Sequence, residues 1–211
     1  MFKYHHTKGF FVAIDGPNGS GKSTLVEEIK AKMELEQFEV YVTREPSDSE
    51  LGTSTRNFSE FYSGKTLACL IAADRYEHIL TEILPELNKG KIVITDRYIL
   101  SSLILQRMDD VDTSFILALN SEIIKPDLQI AVFADEAVLQ KRLSTRDIRT
   151  RFEKGNQSYN EIQYMKKGIL ELQKREIEVL QINNNNNLEE NVKKIISYLI
   201  QKQKINKELF Y

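Results

Sequence analysis

"FFVAIDGPNGSGKST", residues Phe10 to Thr24, joins an uninterrupted apolar run to a turn with three glycines and ends on a lysine and two hydroxyl residues. The run reads as a strand buried on both faces, and Ser23 to Gln37 places Leu25, Ile29 and Met33 at helical intervals. Between them, Gly16 through Gly21, Lys22 and Ser23 fit G-x-x-x-x-G-K-[ST]. Bare backbone beside one fixed cation suits a polyphosphate. Amides at a helix N-terminus point at phosphate oxygens, and glycine lets the chain approach them. A merely flexible glycine-rich turn would need neither the strand before it nor the helix behind it.

Four further apolar runs follow, at Val40 to Thr43, Ile92 to Thr95, Leu128 to Ala134 and Val179 to Ile182. They are rich in Val, Ile and Leu without strict alternation, as expected of strands covered on both faces. Helices are expected over Leu67 to Leu87, Asp112 to Ile124, Glu136 to Arg146, Ser158 to Glu178 and Leu188 to Gln203. Alternating strands and helices predict an α/β fold with a five-stranded parallel sheet, and ligands over the carboxyl ends of its strands. Asn183 to Asn187, five asparagines in a row, reads as a surface connector that could border a nucleotide base.

With 211 residues the chain can build one sizeable core, and a single domain over 1–211 with an inserted lid is expected. Its 29 basic and 31 acidic residues produce no field favouring nucleic acid or an anionic membrane, so anion binding has to be local. The one cysteine, Cys69, cannot form an internal disulfide and lies in an apolar run, where a small buried packing residue is expected. No apolar stretch approaches the roughly 20 residues of a membrane span, and Met1 to Phe11 lacks a signal-peptide pattern. A cytoplasmic protein is expected. His5 and His6 lack further metal ligands at suitable spacing and read as solvated tail residues.

Charged residues gather at the predicted strand ends. "TREPSD" sets Arg44 and Glu45 where the second strand ends, and "TDRYILSS" sets Asp96 and Arg97 at the equivalent point of the third. Asp96 stands where a phosphate-loop enzyme keeps its acidic magnesium partner. Arg44 and Arg97 offer planar forks suited to a second phosphate. In "AADRYEH", Asp74, Arg75 and His78 occupy neighbouring helical faces, where Asp74 and Arg75 could equally be surface charges. "QKRLSTRDIRTRFEKG" clusters Arg142, Arg146, Arg149 and Arg151 ahead of Gly155, as a lid over a triphosphate would, at about 143–157.

In this order the motifs resemble the thymidylate kinase family of P-loop nucleoside monophosphate kinases. The pieces are "FFVAIDGPNGSGKST", "TREP", "AADRYEHILTEILPELNKGKIVITDRYILSS", "KPDLQIAVFAD" and "TRFE", from about Phe10 to Asn191. The resemblance implies the P-loop NTPase fold and transfer of the γ-phosphate of ATP to a deoxynucleoside monophosphate, dTMP above all. It implies that Gly16, Asn18, Gly19, Ser20 and Gly21 form the donor loop. Lys22 would stabilise phosphoryl charge, Thr24 would support the phosphate contacts, and Ser23 and Asp96 would hold Mg²⁺. Arg44 and Arg97 would grip the acceptor phosphate, with Arg97 also catalytic, while Arg75 would reach the base and Arg142 would lie near adenine. Ser101 and Gln106 complete the implied acceptor site. Family members take a catalytic arginine either from the loop, where this chain has Gly19, or from the lid, where it has Arg149 and Arg151.

The departures fall on the acceptor side. Asn18 replaces an acidic loop residue that faces the sugar, Ile71 replaces an aromatic that stacks on thymine, and Leu105 replaces an aromatic near the sugar. "TREPGGT" has become "TREPSDS", and Ile169 stands for a tyrosine of the lid helix. A kinase of the same fold for another nucleotide is therefore the nearest alternative, and a catalytically silent nucleotide switch the next. The chain holds no Asn-Lys-x-Asp sequence for reading guanine. The family also implies a homodimer, for which the apolar helix over Leu67 to Leu84 could serve.

Overall fold

The computed structural model describes residues 2–4, 7–145, 151–153 and 157–209. Five strands form one wholly parallel sheet: β1 (Phe10–Asp15), β2 (Val40–Arg44), β3 (Ile92–Asp96), β4 (Leu128–Phe133) and β5 (Val179–Asn183). Their spatial order is β2-β3-β1-β4-β5, so β1 lies at the centre. This is the sheet of the P-loop NTPase fold. Every predicted strand is present within a residue or two. Alternate β1 side chains serve two cores, Phe11 and Ala13 on one face and Phe10, Val12 and Ile14 on the other.

On the second face lie α1 (Lys22–Leu35) and α9 (Leu188–Leu209), which contribute Leu25, Ile29, Met33, Ile195 and Leu199. The first face is covered by α3 (Gly64–His78), α5 (Ile99–Met108) and α8 (Ser158–Gln173). The helix predicted over Leu67 to Leu87 is present but not uniform. After α3 the chain makes a π turn over Ile79–Ile83, with the Leu84 amide bonded to the Ile79 carbonyl, and then continues as α4 (Leu84–Asn88). Pro85 has no amide to donate within this stretch, which favours such a rearrangement.

Two helices escaped the sequence reading. α2 (Glu50–Phe58) is short and polar, and it starts where the Ser49 hydroxyl accepts the Gly52 amide at 3.1 Å. α5, "ILSSLILQRM", is buried nearly all round and so lacks the one-sided stripe that marks a surface helix. α6 (Thr113–Leu119) stops about five residues short of the expected Ile124. Asn120 ends it, turning its Nδ2 onto the Ile116 carbonyl at 2.8 Å. Cys69 corrects another expectation, since it lies on the exposed face of α3 rather than in the core. α7 (Glu136–Ser144) leads to Thr145; His5 and His6, Arg146 and Arg149 and the Gly155 boundary of the expected lid lie outside the described residues.

Candidate active site

Parallel register aligns the strand ends. Ile14 and Arg44 both stand opposite Asp96 on β3, so β1, β2 and β3 deliver their last residues to one edge. The loop after β1 wraps tightly there. A side chain at Gly16 would start 2.3 Å from the Val132 carbonyl oxygen, and Gly21 caps α1 with φ of 84°, a left-handed value that suits glycine. Gly21 also brings no side chain to the amides at the start of α1. Lys22 Nζ reaches back to the Gly16 and Pro17 carbonyls at 3.0 and 2.9 Å. Burial, with the nearby Arg97 charge, lowers its pKa to about 8. Ser23 Oγ donates to Asp96 Oδ2 at 2.6 Å, while Asp96 Oδ1 is buried without a hydrogen-bond partner among the described residues. An orphaned carboxylate oxygen beside a serine hydroxyl is a donor set suited to a hard cation.

Behind the loop, a cavity of about 450 Å³ is bordered by Gly19, Gly21, Thr24, Arg142 and Asn184 to Asn186. Arg142 reaches it from α7, donating to the Asn184 and Asn185 carbonyls at 3.0 and 2.7 Å and to the Gly19 carbonyl at 3.3 Å. Asn184 is 4% exposed, and its Nδ2 donates to the Ser20 carbonyl at 2.8 Å. The asparagine run is therefore no plain connector. It braces the phosphate loop and forms part of this cavity, a role that composition cannot reveal because the partner carbonyl lies 164 positions away.

A second cavity, about 290 Å³, opens in front of the loop between β2, α3 and α5. Asn18, Ser23, Asp96 and Arg97 line both it and the niche over the phosphate loop, so the two spaces share a wall. Arg97 holds φ of 80° and donates to Asn18 Oδ1 at 2.7 Å and Ser101 Oγ at 3.2 Å. A non-glycine residue held in that conformation is strained, which is a feature of functional sites. Buried Asp15, at the end of β1, fixes the turn by accepting the Tyr98 and Ser101 amides at 3.0 and 2.9 Å. Arg44 pairs with Asp48 at 2.5 Å, and Asp48 also receives Arg56 at 3.2 Å. Gln106 Oε1 is buried with no hydrogen-bond partner among the described residues.

Arg75, expected to reach the base, lies in the cavity wall, 1% exposed, with its guanidinium spent on protein partners. It binds Glu45 at 2.7 Å, Asn120 Oδ1 at 2.7 Å, Ser102 Oγ at 3.0 Å and the Tyr98 carbonyl at 3.2 Å. Asp74 and His78 are buried beside it, and Asp74 accepts both the amide and the hydroxyl of Ser47. The reading of this cluster as surface charges is corrected: its polar groups tie α3 to the strand-end loop.

The family model for thymidylate kinase matches residues 14–195. The chain belongs to the thymidylate kinase family. It is similar to a probable thymidylate kinase of Pyrococcus horikoshii, 36% identical over 155 residues, 70% of this chain and 76% of that protein. A thymidylate kinase of Caldicellulosiruptor saccharolyticus is 32% identical over 207 residues, covering 93% of this chain and all of the relative. A probable thymidylate kinase of Thermococcus gammatolerans is 34% identical over 178 residues, 79% of each chain.

Of the segment expected to form a lid, residues 151–153 are among those described. Arg151 opens a 3₁₀ turn over Arg151–Glu153, and its guanidinium grips Asp109 with both nitrogens, at 2.8 and 2.5 Å, and the Ser59 carbonyl. That places it at the outer rim of the front cavity, next to Phe152, which lines it. Ile71 and Leu105 also line that cavity, while Ile169 packs in the core. Arg56 and Phe152 line the front cavity without having been given a role by the sequence. Neither carries a local signal, because each gains its place from a distant element.

Proposed function

We propose that this chain transfers the γ-phosphate of ATP to dTMP, yielding dTDP and ADP, and that the rear cavity seats adenosine while the front cavity seats thymidylate. One observation carries this reading: the phosphate loop and the front cavity share Asn18, Ser23, Asp96 and Arg97, so two phosphate chains seated on either side would meet end to end. In that arrangement an acceptor phosphate oxygen attacks the γ-phosphorus as the bond to the β–γ bridging oxygen breaks and ADP carries the electron pair away. No strong base is required, since the acceptor is already an anion; alignment and charge stabilisation suffice.

Each residue then has a part. The loop glycines and Ser20 lend backbone amides, and Lys22 leaves its own loop carbonyls to meet the donor phosphates. Ser23 and Asp96 would hold Mg²⁺, which would offset negative charge on the donor phosphates. Arg142 offers a planar face to adenine, Arg44 and Arg56 receive the acceptor phosphate, and Arg97 stands between the two chains. Phe152, the one aromatic among the front-cavity lining residues described, gives thymine the ring face that Ile71 does not. Gln106, with an unpartnered amide oxygen, and Ser101 provide polar contacts to the nucleoside. Arg151, anchored to Asp109, and Arg149 of the same segment remain the lid's candidate catalytic cations.

The chain is read as one kinase domain over 1–211. None of the described helices is long and apolar enough to cross a membrane, and a cytoplasmic place suits an enzyme that consumes ATP. For a homodimer, Cys69 on α3 and Leu80 in the π turn after it are exposed apolar residues, Leu80 being 68% exposed. Product analysis with ATP, Mg²⁺ and a panel of nucleoside monophosphates tests the assignment. Equal amounts of ADP and dTDP are expected; ADP without dTDP, or turnover confined to another acceptor, overturns it.

A further inference from the structure

Helix α8 buries Ser158, Glu161, Met165, Gly168, Ile169 and Leu172, and only one of these can carry charge. Glu161 is 1% exposed, its Oε2 accepting the Asn18 backbone amide at 2.6 Å and its Oε1 accepting Asn18 Nδ2 at 3.3 Å. Burial pushes its carboxyl up, while the Asn18 hydrogen bonds and the charges of Lys22 and Arg97 hold it down. A buried carboxylate is expensive, and α8 could pack on the loop with an apolar side chain instead. What the charge achieves is visible one residue on. An ionised carboxylate only accepts, so it draws the Asn18 NH₂ group toward α8 and turns Oδ1 toward Arg97, which donates to it at 2.7 Å.

We propose that Glu161 is a positioning residue for the acceptor nucleotide: it orients the Asn18 amide, and through it the Arg97 fork, supplying from helix α8 a negative charge that the phosphate loop lacks at position 18. The inference rests on the front cavity being the acceptor site. The remaining lone pair of Asn18 Oδ1 and second hydrogen of Nδ2 are then held toward a nucleotide hydroxyl or phosphate in that cavity. Asn18 alone could flip end for end, and its two ends would present opposite polarity to Arg97.

The test uses Glu161→Gln, Asn18→Asp and the double variant in the full chain, reading kcat, the KM of each substrate and the melting temperature. Glu161→Gln is expected to raise the acceptor KM about tenfold while the ATP KM stays within about twofold, the size expected for weakening a charge-assisted hydrogen bond. Asn18→Asp alone should lower kcat/KM for the acceptor, because it sets a second carboxylate about where Nδ2 now lies, 3.3 Å from Glu161. Adding Glu161→Gln to it should recover most of that loss, since one charge is again present and the introduced amide can donate to it. An unchanged acceptor KM in Glu161→Gln, or additive losses in the double variant, overturns the inference. If the wild-type enzyme makes no dTDP, the substrate assignment fails on its own; the same comparison on whichever monophosphate it does accept still decides the role of Glu161.

Discussion

The two sides of the cleft are built from different materials. The proposed donor side is largely backbone: glycine amides, the start of α1 and the Ser20 carbonyl behind the central strand β1, with the Asn184 carbonyl following the edge strand β5. The acceptor side is side chains from β2, α2, α3, α5 and the lid, and its cations already hold resident anions or carbonyls. Arg44 sits on Asp48, Arg75 on Glu45 and Arg151 on Asp109. Backbone seats tolerate little sequence change, whereas side-chain seats can be re-specified residue by residue. That difference fits the departures at Asn18, Ile71 and Leu105, which all line the front cavity, whereas Ile169 packs in the core.

Removing the donor side's one mobile charge should break the comparison most severely. Lys22→Ala is expected to lower kcat by about 10³-fold, in the range seen when a transition-state charge stabiliser is lost, with circular dichroism unchanged. Activity within tenfold of wild type would show that backbone alone carries donor catalysis. The same lysine predicts a pH effect. Its charge is present below its pKa of about 8 and is lost above it, so ATP affinity should fall as pH rises through that value. Calorimetry should find ATP binding about tenfold weaker at pH 9 than at pH 7, as one linked proton requires.

On the acceptor side the expected effects are smaller and selective. Phe152→Leu should raise the dTMP KM about fivefold and leave the ATP KM unchanged, as loss of one ring contact implies. An equal rise for both substrates would assign Phe152 to lid closure instead. Asp48→Asn frees Arg44 and Arg56 from a largely exposed competitor, and should lower the acceptor KM by about twofold in low salt, the scale of a surface ion pair. A higher acceptor KM in that variant would mean that Asp48 holds the forks in place rather than occupying them.

What the sequence makes legible follows the same division. The strands could be read because parallel strands buried on both faces are continuous apolar runs, and the phosphate loop because its glycines, Lys22 and Ser23 all fall within eight residues of chain. α5 could not, since it is buried nearly all round, polar Ser101, Ser102 and Gln106 included, and Cys69 was expected inward because an apolar run in a helix does not say which face turns out. Arg75 and Asp74 could not be told from surface charges without knowing that Glu45 and Ser47 come to meet them. Glu161 did carry a signal, an acidic residue on the apolar face of α8 in step with Met165 and Leu172. Arg56 and Phe152 carried none, because their neighbours are set by topology, and the asparagine run was legible as an oddity but not as a brace for the phosphate loop.

The account as a whole depends on two nucleotides meeting across the wall formed by Asn18, Asp96 and Arg97. A crystal structure with adenosine and thymidine joined through a five-phosphate bridge tests this directly. The account predicts adenine against Arg142, the phosphates passing Lys22 and Arg97, and thymine between Ile71 and Phe152. Thymidine lying outside the front cavity, or phosphates bound away from Gly16 to Thr24, would contradict it.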